Sequence, residues 1–307
     1  MSEDGLRAML AERSGLDADS LWYPVHEVPR RFGLSWPLTA GQAEDVLAGL
    51  LDRLRLVLPA PRHEGPGPRY VCLSEITGRY QRTDTRRVLE RVRRRGATPA
   101  VPAFGGGDYD PRSERGWGAR PPAAPEHAGT PDWSWWRLVR KAGPRPLYRM
   151  PDPHMGEGAP PVDRALALRN RTGDPAAYRA ALTAALREDP RHTDCWAHLG
   201  SAALDGTGTD QAALEQALGY YQTAVAVAEL SLPPTFTGVL AWDEPDNRPF
   251  HRALHGLGLT WWRLGETAKA TAVFTNSLFT NPDDQQGIRY LIGQTRSGVP
   301  WRAADGL

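Results

Sequence analysis

The chain has 307 residues, 37 basic and 36 acidic side chains with a net charge of +1, and two cysteines, Cys72 and Cys195. Two cysteines so far apart cannot build a disulfide framework or a four-cysteine zinc site, and the length exceeds the ~100–200 residues usual for one domain. Charged residues interrupt Met1 to Leu16, and no apolar run approaches the ~20 residues a membrane span needs, so a soluble cytoplasmic protein of at least two domains is expected.

The near-neutral total conceals an asymmetry: residues 1–150 carry 24 basic and 18 acidic side chains, residues 151–307 carry 13 and 18. Leu6 to Glu12 reads as a short helix and Val25 to Phe32 as another, limited by Pro29. Thr39 and Gln42 have the spacing of a capping box, and Val46, Leu47, Leu50, Leu51, Leu54 and Val57 follow at helical intervals. Leu56-Val57-Leu58 and Tyr70-Val71-Cys72-Leu73 flank the turn-forming Gly65-Pro66-Gly67-Pro68, which predicts two strands joined by a loop. Helices followed by such a hairpin outline a winged helix. A basic helix is expected over Arg82 to Arg95.

Gly105-Gly106-Gly107, Pro121-Pro122 and Pro125 break every periodic pattern beyond Gly96, so residues 97–160 read as a linker. It holds an apolar island, Trp133, Trp135, Trp136, Leu138 and Val139, expected to pack on a domain.

From residue 161 a repeat emerges. Leu254, Leu257, Gly258 and Trp261, then Ala270, Phe274 and Pro282, form two helices closed by a proline. Trp196, Leu199 and Gly200, with Ala217, Tyr221 and Ala224, repeat the pattern, lengthened by an insertion in Asp205 to Asp210. Asp174-Pro175, a cap and first helical residue, leads into Tyr178, Leu182, Ala185 and Pro190, and Pro190 precedes Trp196 by the six residues a repeat boundary requires. A weaker first helix surrounds Val162 to Leu168, and Gln285 to Gln294 reads as a terminal cap.

This pattern resembles the tetratricopeptide repeat (TPR) family over residues 161–294. Asn281-Pro282-Asp283-Asp284-Gln285-Gln286-Gly287-Ile288-Arg289 is also similar to an N-P-x-D-N-Q-G-x-R ending of some members, departing from it at Gln285. The resemblance implies a concave protein-binding surface to which Arg252, His255 and Trp262 contribute. The asparagine and lysine pattern of the carboxylate-clamp members is absent.

Other clusters favour bland readings. His251 and His255 have a zinc-chelating spacing but lack further ligands, and His192, Cys195 and His198 lack a fourth ligand, so no metal is expected. Trp242, Asp243, Glu244 and Asp246 lie in the long connection between Leu232 and Pro249, which reads either as part of the binding groove or as a cap on the insertion; the two acids Asp243 and Glu244, without a base or nucleophile, favour a solvated loop over a catalytic site. On the basic helix Arg86, Arg87, Arg93 and Arg94 are the candidates for nucleic-acid contact. The start of the Thr39 helix, with Glu44 and Asp45 and no arginine, suits a major-groove reader poorly.

The expected fold is mainly α: a small N-terminal α/β, winged-helix-like domain (1–96), a linker (97–160), a TPR-like antiparallel helical array or short α-solenoid (161–294) and a tail (295–307). The expected function is a non-catalytic protein- or peptide-binding scaffold or adaptor without cofactor. The alternative is a DNA-binding regulator whose array senses a partner.

Overall fold

The structure is a computed structural model and describes residues 1–14, 18, 21, 25–26, 28–56, 68–77, 83–104, 106–111, 135–151, 153, 158–205, 210–233 and 235–301, with the backbone alone at 30–31, 52–56 and 83. The chain is mainly helical, with adjacent helices packed on one another. Among the described residues the helices are α1 Glu3–Ser14, α2 Val28–Phe32, α3 Ala40–Leu56, α4 Leu73–Thr77, α5 Thr83–Arg95, α6 Trp136–Ala142, α7 Pro161–Thr172, α8 Pro175–Glu188, α9 Thr193–Leu204, α10 Gln211–Glu229, α11 Arg248–Arg263, α12 Thr267–Thr280 and α13 Ile288–Arg296. None of these helices is long and apolar enough to cross a membrane. Two compact units divide the chain: residues 1–68 with 108–145, and residues 69–107 with 146–307. The boundary expected at residue 96 therefore falls inside the second unit.

In the first unit α1 packs on α3. The capping box forms as its spacing requires: the Thr39 amide donates to Gln42 Oε1 at 2.9 Å and the Gln42 amide to Thr39 Oγ1 at 3.3 Å, so α3 starts at Ala40. Leu6 and Leu10, one turn apart on α1, meet Val46, Leu47 and Leu50 in a core that also takes Val25 and Val28. The described part of the tryptophan island is α6 and the residue before it: Trp135 and Trp136 are buried edge-to-face at 5.3 Å, and Arg137 donates to the Ser14 carbonyl at the end of α1. Trp133 lies outside the described residues, as do Val57 to Gly67 with most of the expected hairpin loop, the linker 112–134, Gly206 to Thr209 and the tail beyond Trp301.

In the second unit each of α7 to α13 packs on the helix that follows it in the chain. Asp174 caps α8 by accepting the Ala176 amide at 2.8 Å, and Gly173 before it adopts φ +65°, the left-handed conformation that ends α7. The phase between Pro190 and Trp196 has a direct cause, because the Trp196 indole donates to the Pro190 carbonyl at 2.9 Å. The small positions let helices approach: a Cβ on Gly200 would lie 2.8 Å from the Tyr221 ring, one on Gly256 2.2 Å from it, and one on Gly258 2.2 Å from Phe274. Tyr221 of α10 thus fills glycine notches on both α9 and α11.

The segment 69–95 does not form the expected strand. Tyr70 to Cys72 is irregular and Leu73 opens α4. The reason is tertiary: Glu229 of α10 accepts the Tyr70 hydroxyl at 2.8 Å and the Leu73 amide at 2.5 Å, while Asn276 of α12 takes both backbone groups of Val71 at 3.2 and 2.6 Å. These bonds satisfy the backbone that a ladder would otherwise have paired. Helix α5 then lies along α10, with Leu89 and Val92 against Ala226 and Val227 and the Thr85 hydroxyl 2.8 Å from that of Thr223. Burying Leu89 and Val92 contributes about 1.5–3 kcal/mol each before chain entropy is counted.

The connection before α11 is also built in. Val239 bridges Leu147 in parallel, Leu240 donates to the Thr280 carbonyl at 2.8 Å, and buried Asn247 donates to Tyr148 and Ala241 while accepting the Met150 amide. Tyr148–Arg149 pairs antiparallel with Val101–Pro102. Val239, Leu240 and Asn247 thus tie this connection into the second unit, while Asp243, one of the two acids expected in solvent, is exposed.

Candidate functional site

The starts of α7, α9 and α11 come together in the second unit. There they enclose a cavity of about 400 Å³, within the ~300–1,000 Å³ range of ligand clefts. Pro160 to Asp163 come from the start of α7, Arg191 to Cys195 from the start of α9, and Pro245, Asp246, Arg248, Pro249, Phe250 and Arg252 from the start of α11. Val92 on α5, Ala97 and Thr98 beyond it, Val227 and Ser231 at the end of α10, and Met150, Pro151 and Pro153 complete the wall. Three helix starts thus border one space, and helix N-termini carry partial positive charge.

The charged side chains of the wall are largely fixed by partners. Arg191 grips Asp189 at 3.0 and 2.7 Å and also donates to the Gly96 carbonyl. Burial pushes the Asp189 carboxyl up, but the Arg191 hydrogen bonds outweigh it and hold the group below the ordinary range. Arg252 reaches across hairpins to Asp194 in a two-point contact of 2.9 and 2.7 Å, and Asp246 pairs with Arg149 at 3.3 Å. Arg248 differs: its Nε donates to the Trp242 carbonyl at 3.0 Å and its guanidinium stands 5.6 Å from the centroid of the Trp242 ring. The cavity thus offers both signs of charge, hydroxyls from Thr98, Thr193 and Ser231, and a largely prolyl and aliphatic floor.

Of the three residues expected on one partner surface, only Arg252 lines this cavity. Trp262 is corrected outright: it is 2% exposed, donates to the Val299 carbonyl at 2.7 Å and meets Trp301 edge-to-face at 5.0 Å. The chain returning after α13 covers the site where an exposed anchor was expected. His255 is half-buried, with Nδ1 3.4 Å from Gln286 Nε2, and burial lowers its pKa to about 4. These three residues therefore do not share one exposed surface.

The histidine clusters are accounted for by packing. His251 is fully buried between Trp242 and Phe250, with Nε2 2.6 Å from the Leu240 carbonyl, and burial lowers its pKa to about 4 despite that bond. His198 Nδ1 lies 2.7 Å from the Tyr178 hydroxyl, Cys195 belongs to the core, and His192 lies in the cavity wall. Among the described residues no group of three or more potential ligands converges to hold a metal ion. The Asn281 to Arg289 segment is a turn: Asp284, at φ +47°, accepts the Ile288 amide at 2.7 Å, the Arg289 amide at 3.0 Å and the Arg289 guanidinium at 2.8 Å.

Arg86, Arg87, Arg93 and Arg94 all lie exposed on α5, and that helix belongs to the second unit rather than with residues 1–68. Arg191, Arg248 and Asp194 are cavity residues that the sequence did not single out. The available signal was positional, since each stands within two residues of a helix start that borders the cavity. Comparisons with family models, with curated proteins and with solved structures found no match to the chain.

Proposed function

We propose that the second unit is a TPR-like array and that the protein is a non-catalytic binder holding a peptide or protein segment in the cavity at the first-helix N-termini. The observation that supports this most is the composition of that cavity. Its wall alternates fixed ion pairs, hydroxyls and prolines around a space of ligand size, with three helix N-termini at its edge. An extended peptide presents carbonyl oxygens, amides and apolar side chains together, which is the mixture such a wall complements. Preformed ion pairs keep the wall rigid, so little ordering opposes binding. A helical array of this kind works by holding, and the partner's identity is the quantity to determine.

The test is selection of displayed peptides on the full chain, followed by titration of the enriched peptides against the parent, Arg248→Ala and Arg252→Ala. Enriched peptides that bind the parent and lose at least tenfold affinity on both variants, about 1.4 kcal/mol, support the reading. Equal affinity for all three proteins would place recognition elsewhere and overturn it.

A further inference from the structure

We propose that the outward face of α5 binds the phosphate backbone of a nucleic-acid duplex through Arg86, Arg87, Arg93 and Arg94, without reading base sequence. This does not rest on the peptide-binding reading, because α5 carries the four arginines on the side away from Leu89 and Val92.

The side chains of α5 divide into an inner set and an outer set. Its inner face is Thr85, Leu89 and Val92, closed against α10. Two of its arginines are committed to the fold: Arg91 donates to the Arg187 carbonyl at 2.9 Å, and Arg95 donates to the Glu188 carbonyl at 2.8 Å and pairs with Asp189 at 3.5 Å. These bonds satisfy carbonyls at the C-terminal end of α8, where cations are favoured by the helix dipole. They also fix α5 in azimuth.

Four exposed arginines remain, in two adjacent pairs seven residues apart. Seven residues are two turns, so the pairs share one face at a separation of about 10.5 Å. Glu90 is exposed between them and Arg94 Nε bonds only the Glu90 carbonyl within the helix. The face holds four positive charges against one negative on a helix already anchored to the array.

The chemistry of this face selects among anionic partners. The apolar side chains of α5 between Arg86 and Arg94, which are Val88, Leu89 and Val92, pack in the cluster with Ala226 and Val227, so the arginine face lacks the buried anchor that dominates protein interfaces. The same lack disfavours a membrane, which needs an apolar face to insert, and a single strand, whose bases stack on aromatic rings. A duplex backbone requires charge alone, releases counterions on contact, and presents fork-shaped guanidinium partners at high density. The pair separation is close to the ~12 Å width of the DNA major groove, so each pair can meet a different stretch of backbone.

The experiment is fluorescence anisotropy of a labelled 20-base-pair DNA duplex titrated with the full chain between ~50 and 200 mM salt. Four phosphate contacts give a slope of log affinity against log salt of about −3.6. Replacing Arg86, Arg87, Arg93 and Arg94 together by Gln should bring that slope toward zero and weaken binding at low salt at least tenfold, with an unchanged thermal midpoint. If the quadruple variant does not fold, Glu90→Gln serves instead and should tighten duplex binding about twofold while steepening the salt dependence. A parent slope near zero, equal duplex affinity of parent and variant, or preferential binding of polyglutamate or of phosphatidylserine vesicles over the duplex overturns the proposal.

Discussion

Helix α11 begins and ends in opposite environments. Its first turns, with Arg248 and Arg252, open on the cavity, whereas its last turn buries Trp262 under Val299 and Trp301. Both ends belong to one helix, so helical phase cannot by itself be what separates them. The surrounding chain makes the difference: residues after α13 return over one end, while the segments near Met150 and Ala97 frame the other. A position on a helix specifies a direction, and the neighbouring chain decides whether that direction is solvent.

The sharpest way to break this contrast is Trp262→Ala. If Trp262 is core, as its burial and its hydrogen bond to Val299 require, the variant loses about 3–5 kcal/mol of stability, read as a fall in the denaturant midpoint. An unchanged midpoint would show that the covering contact contributes nothing.

Acidification is the next largest effect. His251 and His255 are held neutral by burial, with pKa values lowered to about 4, below the ordinary ~6.5. A folded pKa below the unfolded one gives stability that is full above pH ~6.5 and is lost as pH falls toward 4. The loss by pH 4 is on the order of 3 kcal/mol for a ring as buried as His251 and less for the half-buried His255, and replacing His255 by Gln should make the decline shallower. Stability independent of pH across that window would mean that these rings are hydrated.

The middle of α11 gives a smaller, purely steric effect. A methyl at Gly256 would stand 2.2 Å from the Tyr221 ring, so Gly256→Ala should cost about 1–3 kcal/mol. It should not disturb either end selectively. Arg252→Ala is expected to have the least effect on stability, under about 1 kcal/mol, because its pair with Asp194 is partly solvated. Its effect should appear in peptide affinity instead, at the tenfold level or more. A large stability loss with unchanged affinity would assign Arg252 to the fold.

Much of the local structure was legible because its causes are local. The Thr39 capping box, the Asp174 cap, the α5 helix and the glycine spacing at 200 and 258 are readable as residue types at fixed offsets, and each forms with the geometry its chemistry demands. Tyr70 to Leu73 was misread for the complementary reason. β-branched and aromatic residues favour an extended chain, but Glu229 and Asn276, more than 150 residues away, provide the hydrogen bonds that decide its path. The cavity was illegible as a site because no single segment contains it.

The sequence by itself determined where the helices start and stop, which glycines let them approach, and which face of α5 is apolar. These follow from capping, backbone freedom and periodicity within a turn or two. Only the tertiary structure decided that residues 69–107 join the array, that Trp262 is covered, and that three helix starts enclose one cavity. Those outcomes depend on segments distant in sequence competing to satisfy the same buried backbone and side-chain groups, and the chain records that competition only once it is folded.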